Sequence, residues 1–339
     1  MTVVFTPAVR EKVSLIIALA GASGSGKTMS ALKVARGLAG GDDAKIAFID
    51  TEARRALHYA PGPNEKPSAD RFGFQHAELL PPFTPEAYKD IIERAEAAGF
   101  AVIVIDSMSH EYEGEGGLHE MHEANVQAMV DRQRGQQYFD EAKIRERSSI
   151  GAWKEPKLRH KRLVNKMLQC RSHLVICLRA EEKIRLEKVK DDKGRERTVI
   201  VQAKDLPPIE RWTPICEKRF MYEMTVSFVL DPAKPGYPIP IKLQEQHRAA
   251  VPLDRPLSEE TGELLAKWAR GDVPVADPWI AAEAAARQGM DAMLRYWSDL
   301  PKDVQRVLNP RRPELRKIAE EADAATIDFP GDRPVAEAS

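Results

Sequence analysis

A glycine-rich turn that ends in a lysine and a threonine carries the clearest chemistry in this sequence. It matches G-x-x-x-x-G-K-[ST], directly after the apolar segment 13–20 and directly before an amphipathic segment at 27–38. Glycines let the backbone wrap around phosphates so that successive N–H groups point inward, and a helix N-terminus adds positive dipole. We therefore predict a loop that binds a nucleoside triphosphate. Its residues are Gly21, Ala22, Ser23, Gly24, Ser25, Gly26, Lys27 and Thr28.

Lys27, Thr28 and Asp106 are the residues predicted to contact phosphate and metal. Lys27 would place a point charge on the β- and γ-phosphates, and Thr28 would give a hydroxyl ligand to Mg²⁺. Asp106 ends the apolar run V-I-V-I-D, where a carboxylate would hold the same ion, usually through water. The guanine-specificity motif N-K-x-D does not occur, which favours ATP. ATP and Mg²⁺ are the predicted nucleotide and cofactor.

Hydrolysis also needs a group that orients or deprotonates the attacking water. The residue after Asp106 is Ser107, so this group must come from elsewhere. Glu52 follows the apolar run A-F-I-D-T-E, at the carboxyl edge of the predicted sheet, where ligands bind in such folds. Glu52 is therefore the predicted water-activating residue. The alternative is a surface glutamate that begins a loop.

The elements that must position these residues alternate between strand and helix. Apolar strands are predicted at 13–20, 45–50, 101–106 and 173–178. Helices are predicted between them at 27–38 and 85–98. Strands that are apolar on both faces and separated by helices indicate an α/β fold with a mostly parallel, helix-covered sheet. A loop is predicted at 60–85, a charged hairpin at 184–201 with its turn at 191–194, and a further strand at 222–230.

The last third of the chain has a different composition. We predict that the α/β domain spans 1–255, that a small helical module spans 256–324, and that 325–339 form a disordered tail. One helix of the module is predicted at 258–270, with Ser258 as its N-cap. The predicted core of the module consists of Trp279, Leu294, Trp297, Leu300 and Leu308.

Length and composition exclude several function classes. The chain has 339 residues, 30% of them charged and 43% hydrophobic, with a formal net charge of −1. That balance fits a globular protein and excludes a uniformly basic coat for nucleic acid. The three cysteines show no C-x-x-C spacing, and the apolar run near the N-terminus is far shorter than the roughly 20 residues that span a bilayer. We therefore expect a cytoplasmic protein without disulfides, signal peptide or membrane contact.

The order of these motifs resembles the core of RecA-like recombinases and ATPases. A P-loop strand is followed by one ending in I-D-T-E and by one ending in V-I-D-S. More narrowly, segments 106–117 and 152–157 look like those of phage-encoded RecA-like ATPases, some of which act in recombination or single-strand annealing. The resemblance covers roughly residues 10–250. It implies a RecA-like P-loop core, with Glu52 activating water and Asp106 as the Walker B carboxylate.

The resemblance also suggests roles for three basic residues. RecA-like recombinases usually carry a polar sensor, often Gln, at the end of the fourth strand, and here Arg179 would sense the γ-phosphate instead. Lys218 and Arg219 lie where basic residues of RecA-like assemblies reach the neighbouring subunit's nucleotide, and such a finger stabilises transition-state charge. A solvated basic pair is the alternative. This reading implies a homo-oligomer with nucleotide at the subunit interface.

The segment 143–173 is strongly basic in an otherwise balanced chain. It contains ten lysines and arginines against two glutamates, a formal charge of +8. Cations interleaved with aromatic side chains suit single-stranded DNA, through phosphate contacts and base stacking. The alternative is a charged helical face that packs on the core or on another subunit. The predicted DNA-binding residues are Trp153, Lys154, Lys157, Arg159, Lys161 and Arg162.

The acidic segment 108–123 contains three histidines, but its H-E-M-H run is not the H-E-x-x-H pattern of zinc proteases. We expect it to lie near the nucleotide and to move with the nucleotide state, rather than to bind a metal.

These features together predict a DNA-stimulated ATPase of phage type that acts in DNA recombination or single-strand annealing. Two other hypotheses stay open. A replication accessory of the helicase or helicase-loader type would share the core and separate strands. A nucleotide-binding switch would bind ATP and hydrolyse little of it.

Overall fold

The fold is given by a computed structural model of the chain. The described residues are 13–136, 138–183, 185–190, 196–201, 205–271, 278–300 and 302–327. Contacts between residues divide the chain into two units, one ending at Asp272 and one beginning at Val273. Within the described ranges, every helix is either too short or too polar to cross a lipid bilayer.

The strands all belong to the first unit. They are β1 (Ile16–Gly21), β2 (Ile46–Asp50), β3 (Gln75–Glu78), β4 (Val102–Asp106), β5 (His173–Glu182), β6 (Arg185–Lys190), β7 (Glu196–Val201), β8 (Trp212–Pro214), β9 (Val226–Leu230) and β10 (Pro238–Lys242).

Helices lie in both units. Those of the first unit are α1 (Lys27–Leu38), α2 (Pro85–Ala97), α3 (Ser109–Glu113), α4 (Leu118–Asp131), α5 (Glu141–Ala152), α6 (Lys154–Gln169), α7 (Pro208–Arg211), α8 (Phe220–Glu223), α9 (Glu245–Arg248) and α10 (Glu259–Ala269). Those of the second unit are α11 (Pro278–Ala286), α12 (Met290–Asp299), α13 (Lys302–Leu308) and α14 (Arg312–Ile327).

The central sheet has the strand order β10-β9-β1-β5-β4-β2-β3, and β8 pairs with β5. All neighbours from β9 to β3 are parallel, whereas β10 and β8 are antiparallel additions. Strands β1, β2, β4 and β9 are buried along their whole length. The arrangement confirms the predicted α/β class, a RecA-like core with a mostly parallel sheet.

Helices cover both faces of this sheet, as buried parallel strands require. On one face, Leu32 of α1 and Leu265 of α10 share an apolar cluster with Phe48. On the other face, Tyr88 of α2 and Leu163 of α6 share a cluster with Ile105. Because parallel strands point the same way, the carboxyl ends of β1, β2, β4 and β5 meet at one edge of the sheet, where the candidate site lies.

Two edge strands and one strand start differ from the sequence prediction. β3 lies in the predicted loop at 60–85, because its sequence Q-H-A-E is mostly exposed and lacks an apolar run. β10 contains two prolines, which lack an N–H and are tolerated at a sheet edge. The strand predicted from residue 222 begins at Val226, since α8 occupies the preceding residues. The predicted hairpin is present as the antiparallel pair β6 and β7, and its turn lies outside the described residues.

The first unit extends to Asp272, past residue 255, where the sequence prediction places the end of the α/β domain. The reason is α10, which packs against α1 so closely that a Cβ on Gly37 would lie 2.0 Å from the Glu259 carbonyl oxygen. The same crossing would place a Cβ on Gly262 at 2.1 Å from the Val34 carbonyl oxygen. The predicted start of α10 is correct, with Ser258 in a capping box with Thr261.

The second unit has its own helical core, as predicted. Trp297 and Leu308 are buried there with Met293 and Leu315. Leu294 is 42% exposed, so its assignment to this core is wrong; Met293, one residue earlier, faces inward instead. The last helix continues to Ile327, beyond the predicted end of the module, and the predicted disorder of the tail falls otherwise on residues outside the described part of the chain.

Candidate nucleotide-binding site

The glycine-rich turn connects β1 to α1. Gly24 and Gly26 have φ values of +79° and +83°, in the left-handed region that suits glycine, so the chain reverses from strand to helix within a few residues. Gly26 is the N-cap of α1, and no side chain caps the helix. The first N–H groups of α1 are thus available to an anion, which the helix dipole also favours. Ser25 is buried beneath the turn.

Lys27 folds back over the turn, where its Nζ donates a 2.8 Å hydrogen bond to the Ala22 carbonyl oxygen. Burial lowers the pKa of Lys27, and the nearby Cys177, Asp106 and Glu52 oppose that effect only in part. A phosphate next to this ammonium would offer it a charged acceptor in place of a neutral carbonyl, and so add the attraction of opposite charges to the hydrogen bond.

Thr28 and Asp106 meet at the foot of the site. The Thr28 hydroxyl donates a 2.6 Å hydrogen bond to Asp106 Oδ2. Thr28 lies on α1, directly after β1, and Asp106 ends β4, which β5 separates from β1 in the sheet. Burial raises the pKa of Asp106, with the Thr28 hydrogen bond and the Lys27 charge acting against it. A cation would stabilise the ionised form. One hydroxyl and one carboxylate are hard oxygen ligands that fit Mg²⁺, which usually takes few protein ligands and completes its shell with phosphate oxygens and water.

Within the described residues there is no cluster of three or more histidines, cysteines or acids that could hold a metal. The expectation for the histidines of 108–123 therefore stays a prediction. Any ion at Thr28 and Asp106 would depend on the nucleotide for its remaining ligands.

Asp50 fixes the backbone that presents Glu52. Its two carboxylate oxygens accept hydrogen bonds from the N–H groups of Glu52 at 2.7 Å and of Ala56 at 3.0 Å. Between them, Ala53 and Arg54 adopt φ values of +53° and +65°, which non-glycine residues rarely do. Each such residue costs on the order of 1–3 kcal/mol, so the loop persists because the Asp50 hydrogen bonds stabilise it.

The Glu52 carboxylate lies among positively charged groups. Glu52 Oε1 accepts a 2.9 Å hydrogen bond from Arg179 Nε, and Oε2 lies 3.4 Å from Arg55 Nη1. Arg179 lies inside β5, because this strand continues to Glu182, past its predicted end at 178. His110 Nε2 lies 4.0 Å from Oε1. Burial acts to raise the pKa of Glu52, but the Arg179 hydrogen bond and charge, with His110 and Arg55, outweigh it and leave the pKa lowered. Glu52 is thus an ionised carboxylate at neutral pH.

One cavity of about 710 Å³ joins these groups. The predicted residues that line it are Gly21, Ala22, Ser23, Gly24, Gly26, Lys27, Thr28, Glu52, Asp106 and Arg179. Sequence reasoning missed Arg55, His58, Tyr59 and Glu113, which also line it. For Arg55, His58 and Tyr59 the only hint in the sequence was their position directly after Glu52. The acidic segment does reach the cavity, as expected, through Glu113.

The short helix α3 connects this cavity to the basic helices. Glu113 Oε1 lies 3.8 Å from Arg179 Nη1, on the cavity side. On the other side, buried Glu111 pairs with His160 Nδ1 of α6 at 3.0 Å, and the Tyr112 ring stacks on Trp153 at 6.5 Å between centroids. Consecutive side chains of one helix thus contact the nucleotide site and the junction of α5 and α6.

The predicted DNA-binding residues fall into two groups. Trp153 packs in an aromatic cluster, with the His122 ring stacked on it at 4.4 Å, and Arg159 makes paired hydrogen bonds to Glu86. These two residues have partners inside the protein. The other four form what we call the α6 basic stripe; all are exposed, and among the described residues none is in an ion pair, although the charge of Arg162 helps to lower the pKa of Glu86. They are Lys154, Lys157, Lys161 and Arg162.

Lys218 and Arg219 are exposed, directly before α8, and do not line the cavity. This position leaves both side chains accessible to another molecule. It neither supports nor contradicts their predicted role at a neighbouring subunit's nucleotide.

A P-loop lysine at a helix N-terminus, a threonine–aspartate pair and a glutamate just after β2, all at one edge of a mostly parallel sheet, define a RecA-like P-loop ATPase domain. A family model described as an AAA domain matches residues 14–213, more than half of the chain. The chain therefore belongs to this AAA domain family.

Comparison with solved structures adds a distant likeness. A KaiC-like protein from the hyperthermophilic archaeon Pyrococcus horikoshii OT3 is 15% identical, with 65% of this chain and 72% of that chain covered and a TM-score of 0.28. A search of curated proteins gives no match. The fold assignment therefore depends on the strand order and the site described above.

Proposed function

We propose that this protein hydrolyses ATP with Mg²⁺ and that single-stranded DNA stimulates the reaction, in DNA recombination or strand annealing of the phage type. The observation that carries the proposal is the convergence of Lys27, the Thr28–Asp106 pair and the ionised Glu52 on one cavity. Lys27 would neutralise phosphate charge, and Glu52 would accept a proton from the attacking water. A bound Mg²⁺ would supply charge stabilisation at the phosphates.

Two features support a link to DNA. The α6 basic stripe is exposed, so its charges are accessible to phosphates. Helix α3 contacts both this region and the nucleotide site, which gives DNA binding a physical route to Glu52. The recombination or annealing role itself comes from the motif resemblance. A replication accessory would use the same contacts and differ by separating strands.

The Arg179–Glu52 hydrogen bond favours a second candidate function. A carboxylate engaged by a guanidinium at 2.9 Å is a weaker base and is not directed at water. If the pair persists with nucleotide bound, the protein would be a nucleotide-dependent switch with little hydrolysis. Single-turnover rates measured with and without a single-stranded oligonucleotide separate the two functions.

Glu52→Gln tests the proposed role directly. We expect nucleotide affinity within about twofold of wild type and a turnover loss of about 100-fold or more, since general base catalysis contributes roughly 10²–10⁴. Lys27→Ala should instead lose nucleotide affinity. Glu115→Gln is the matched control, because it removes an exposed carboxylate of the acidic segment 108–123 that does not line the cavity. Full turnover in Glu52→Gln would remove Glu52 from the mechanism.

A further inference from the structure

We propose that His110 is a positioning residue for Glu52, which it would orient by donating a hydrogen bond from Nε2 to the carboxylate. The inference rests on the proposed hydrolysis. Its starting point is that His110, at the start of α3, is the only histidine of the described chain close to the Glu52 carboxylate, with Nε2 4.0 Å from Oε1. Hydrogen bonds of catalytic groups are often long without substrate and shorten in the reacting complex.

The ring of His110 is fixed from two directions. Its Nδ1 lies 2.8 Å from the hydroxyl of Thr51, the residue directly before Glu52. The Phe83 ring stacks on the imidazole, with 4.8 Å between centroids. A side chain restrained in this way can hold a neighbouring carboxylate in one orientation, because it loses little further freedom when the hydrogen bond forms.

Hydrogen-bond accounting selects the tautomer. The Thr51 hydroxyl accepts from the Ser107 N–H at 2.8 Å, so its single proton goes either to the Ser107 carbonyl oxygen at 3.0 Å or to His110 Nδ1. The Tyr88 hydroxyl already donates to that carbonyl oxygen at 2.9 Å. A proton donated by Thr51 to Nδ1 places the ring proton on Nε2, facing Glu52, whereas the other tautomer would turn an unprotonated nitrogen towards the carboxylate.

The electrostatic surroundings keep this donor neutral. Burial lowers the pKa of His110, and the charge of Arg179 acts in the same direction, against the opposite effect of Glu52. A neutral His110 ring can donate a hydrogen bond to Glu52. A charged ring would instead be a second cation beside Arg179 and would neutralise the Glu52 carboxylate. The titratable groups around Glu52 are Arg179, Arg55 and His110, and Lys27 and Asp106 are also close enough to interact with its charge.

The test compares His110→Ala with His110→Gln, whose amide retains a donor. We expect His110→Ala to lower kcat about 10- to 100-fold, the size of one hydrogen bond to a charged group, with KM for ATP within about twofold. His110→Gln should recover part of that loss. The acid limb of the kcat–pH profile should move to higher pH in His110→Ala, because a carboxylate that loses a donor is protonated more easily.

Tyr88→Phe provides an independent check, because it frees the Ser107 carbonyl oxygen to take the Thr51 proton. It should shift the acid limb in the same direction by less. Wild-type kcat in His110→Ala, or an equal loss in the Ala and Gln variants with the acid limb unmoved, would overturn the inference. If His110→Ala does not fold, an unmoved acid limb in both remaining variants overturns it. Loss of turnover in Glu52→Gln alone would leave the proposed function standing.

Discussion

The roles of single residues in this protein depend on their neighbours more than on their residue type. Asp50 ends β2 and Glu52 follows two residues later, yet Asp50 is fully buried and accepts backbone N–H groups, whereas the Glu52 carboxylate interacts with Arg179 and Arg55 at the cavity. Strand alternation alone would place both side chains on the same side, because residues two apart share one face of a strand. The chain leaves the strand at Thr51, and this turn separates the two positions. The role of Glu52 is thus a consequence of the loop that Asp50 stabilises.

His173 gives a prediction at the same scale. Its Nδ1 accepts a 3.1 Å hydrogen bond from the Leu15 N–H, which requires a neutral ring. Burial, and then the charge of Arg270, lower its pKa from 6.5 to about 4. Between these values the native state binds fewer protons than the unfolded state, so stability is complete above pH 6.5 and falls as the pH decreases towards 4. The loss approaches about 3 kcal/mol.

The free energy of unfolding measured from pH 4 to 7 checks this. In His173→Asn the side-chain oxygen can accept from Leu15 but cannot be protonated in this range. The variant should show a shallower decrease with acid than the wild-type protein. Parallel curves for the two proteins would assign the acid sensitivity to other groups.

At the scale of elements, the crossing of α1 and α10 determines where the first unit ends. Gly37 looks like a weak point in a helix when the sequence is read alone, because glycine disfavours helices by about 1 kcal/mol. In the structure it faces Gly262, and the two glycines let the backbones approach closely. The cost in helix propensity is offset by apolar contacts such as that of Leu265.

Gly262→Ala should therefore destabilise the protein. The new Cβ would lie 2.1 Å from the Val34 carbonyl oxygen, so the two helices must separate, at a cost of about 1–3 kcal/mol. Gly151→Ala is the matched control in α5, where no atom lies within 4 Å of the new Cβ, and it should stabilise by up to about 1 kcal/mol. Denaturant unfolding of both variants gives the signs. Equal effects would show that propensity, not close approach, governs both sites.

At the scale of the whole molecule, charge is distributed unevenly while the total is close to zero. Acids of α2 neutralise several cations of the basic segment: Glu86 pairs with Arg159, and Glu96 pairs with Lys166. Of the α6 basic stripe, Arg162 also interacts with Glu86, whereas its three lysines are exposed and form no ion pair within the described chain. Lys154, Lys157 and Lys161 are spaced to share one helix face, beside the face that α6 buries.

Replacing the four residues of the stripe with alanine should weaken binding of single-stranded DNA at low salt. The slope of log K against log salt should become shallower by about 0.7 for each cation that contacts phosphate. Fluorescence anisotropy with a labelled oligonucleotide measures both quantities.

The control for this prediction removes the same number of charges from pairs elsewhere, namely Lys89, Arg94, Arg287 and Lys317. It should keep the wild-type slope. If the stripe variant also keeps that slope, the alternative of a charged face that packs on another subunit gains support.

The sequence by itself determined the triphosphate loop, the Walker B position of Asp106 and the α/β class, because these depend on local spacing and on apolar periodicity. It also located Glu52, since the end of a buried strand is visible as a pattern. Tertiary structure alone decided which basic residues are neutralised, where the first unit ends and that His110, Thr51 and Arg179 surround Glu52. Those outcomes depend on contacts between segments far apart in the chain, such as Glu52 with Arg179 at a separation of 127 residues, which no local pattern encodes.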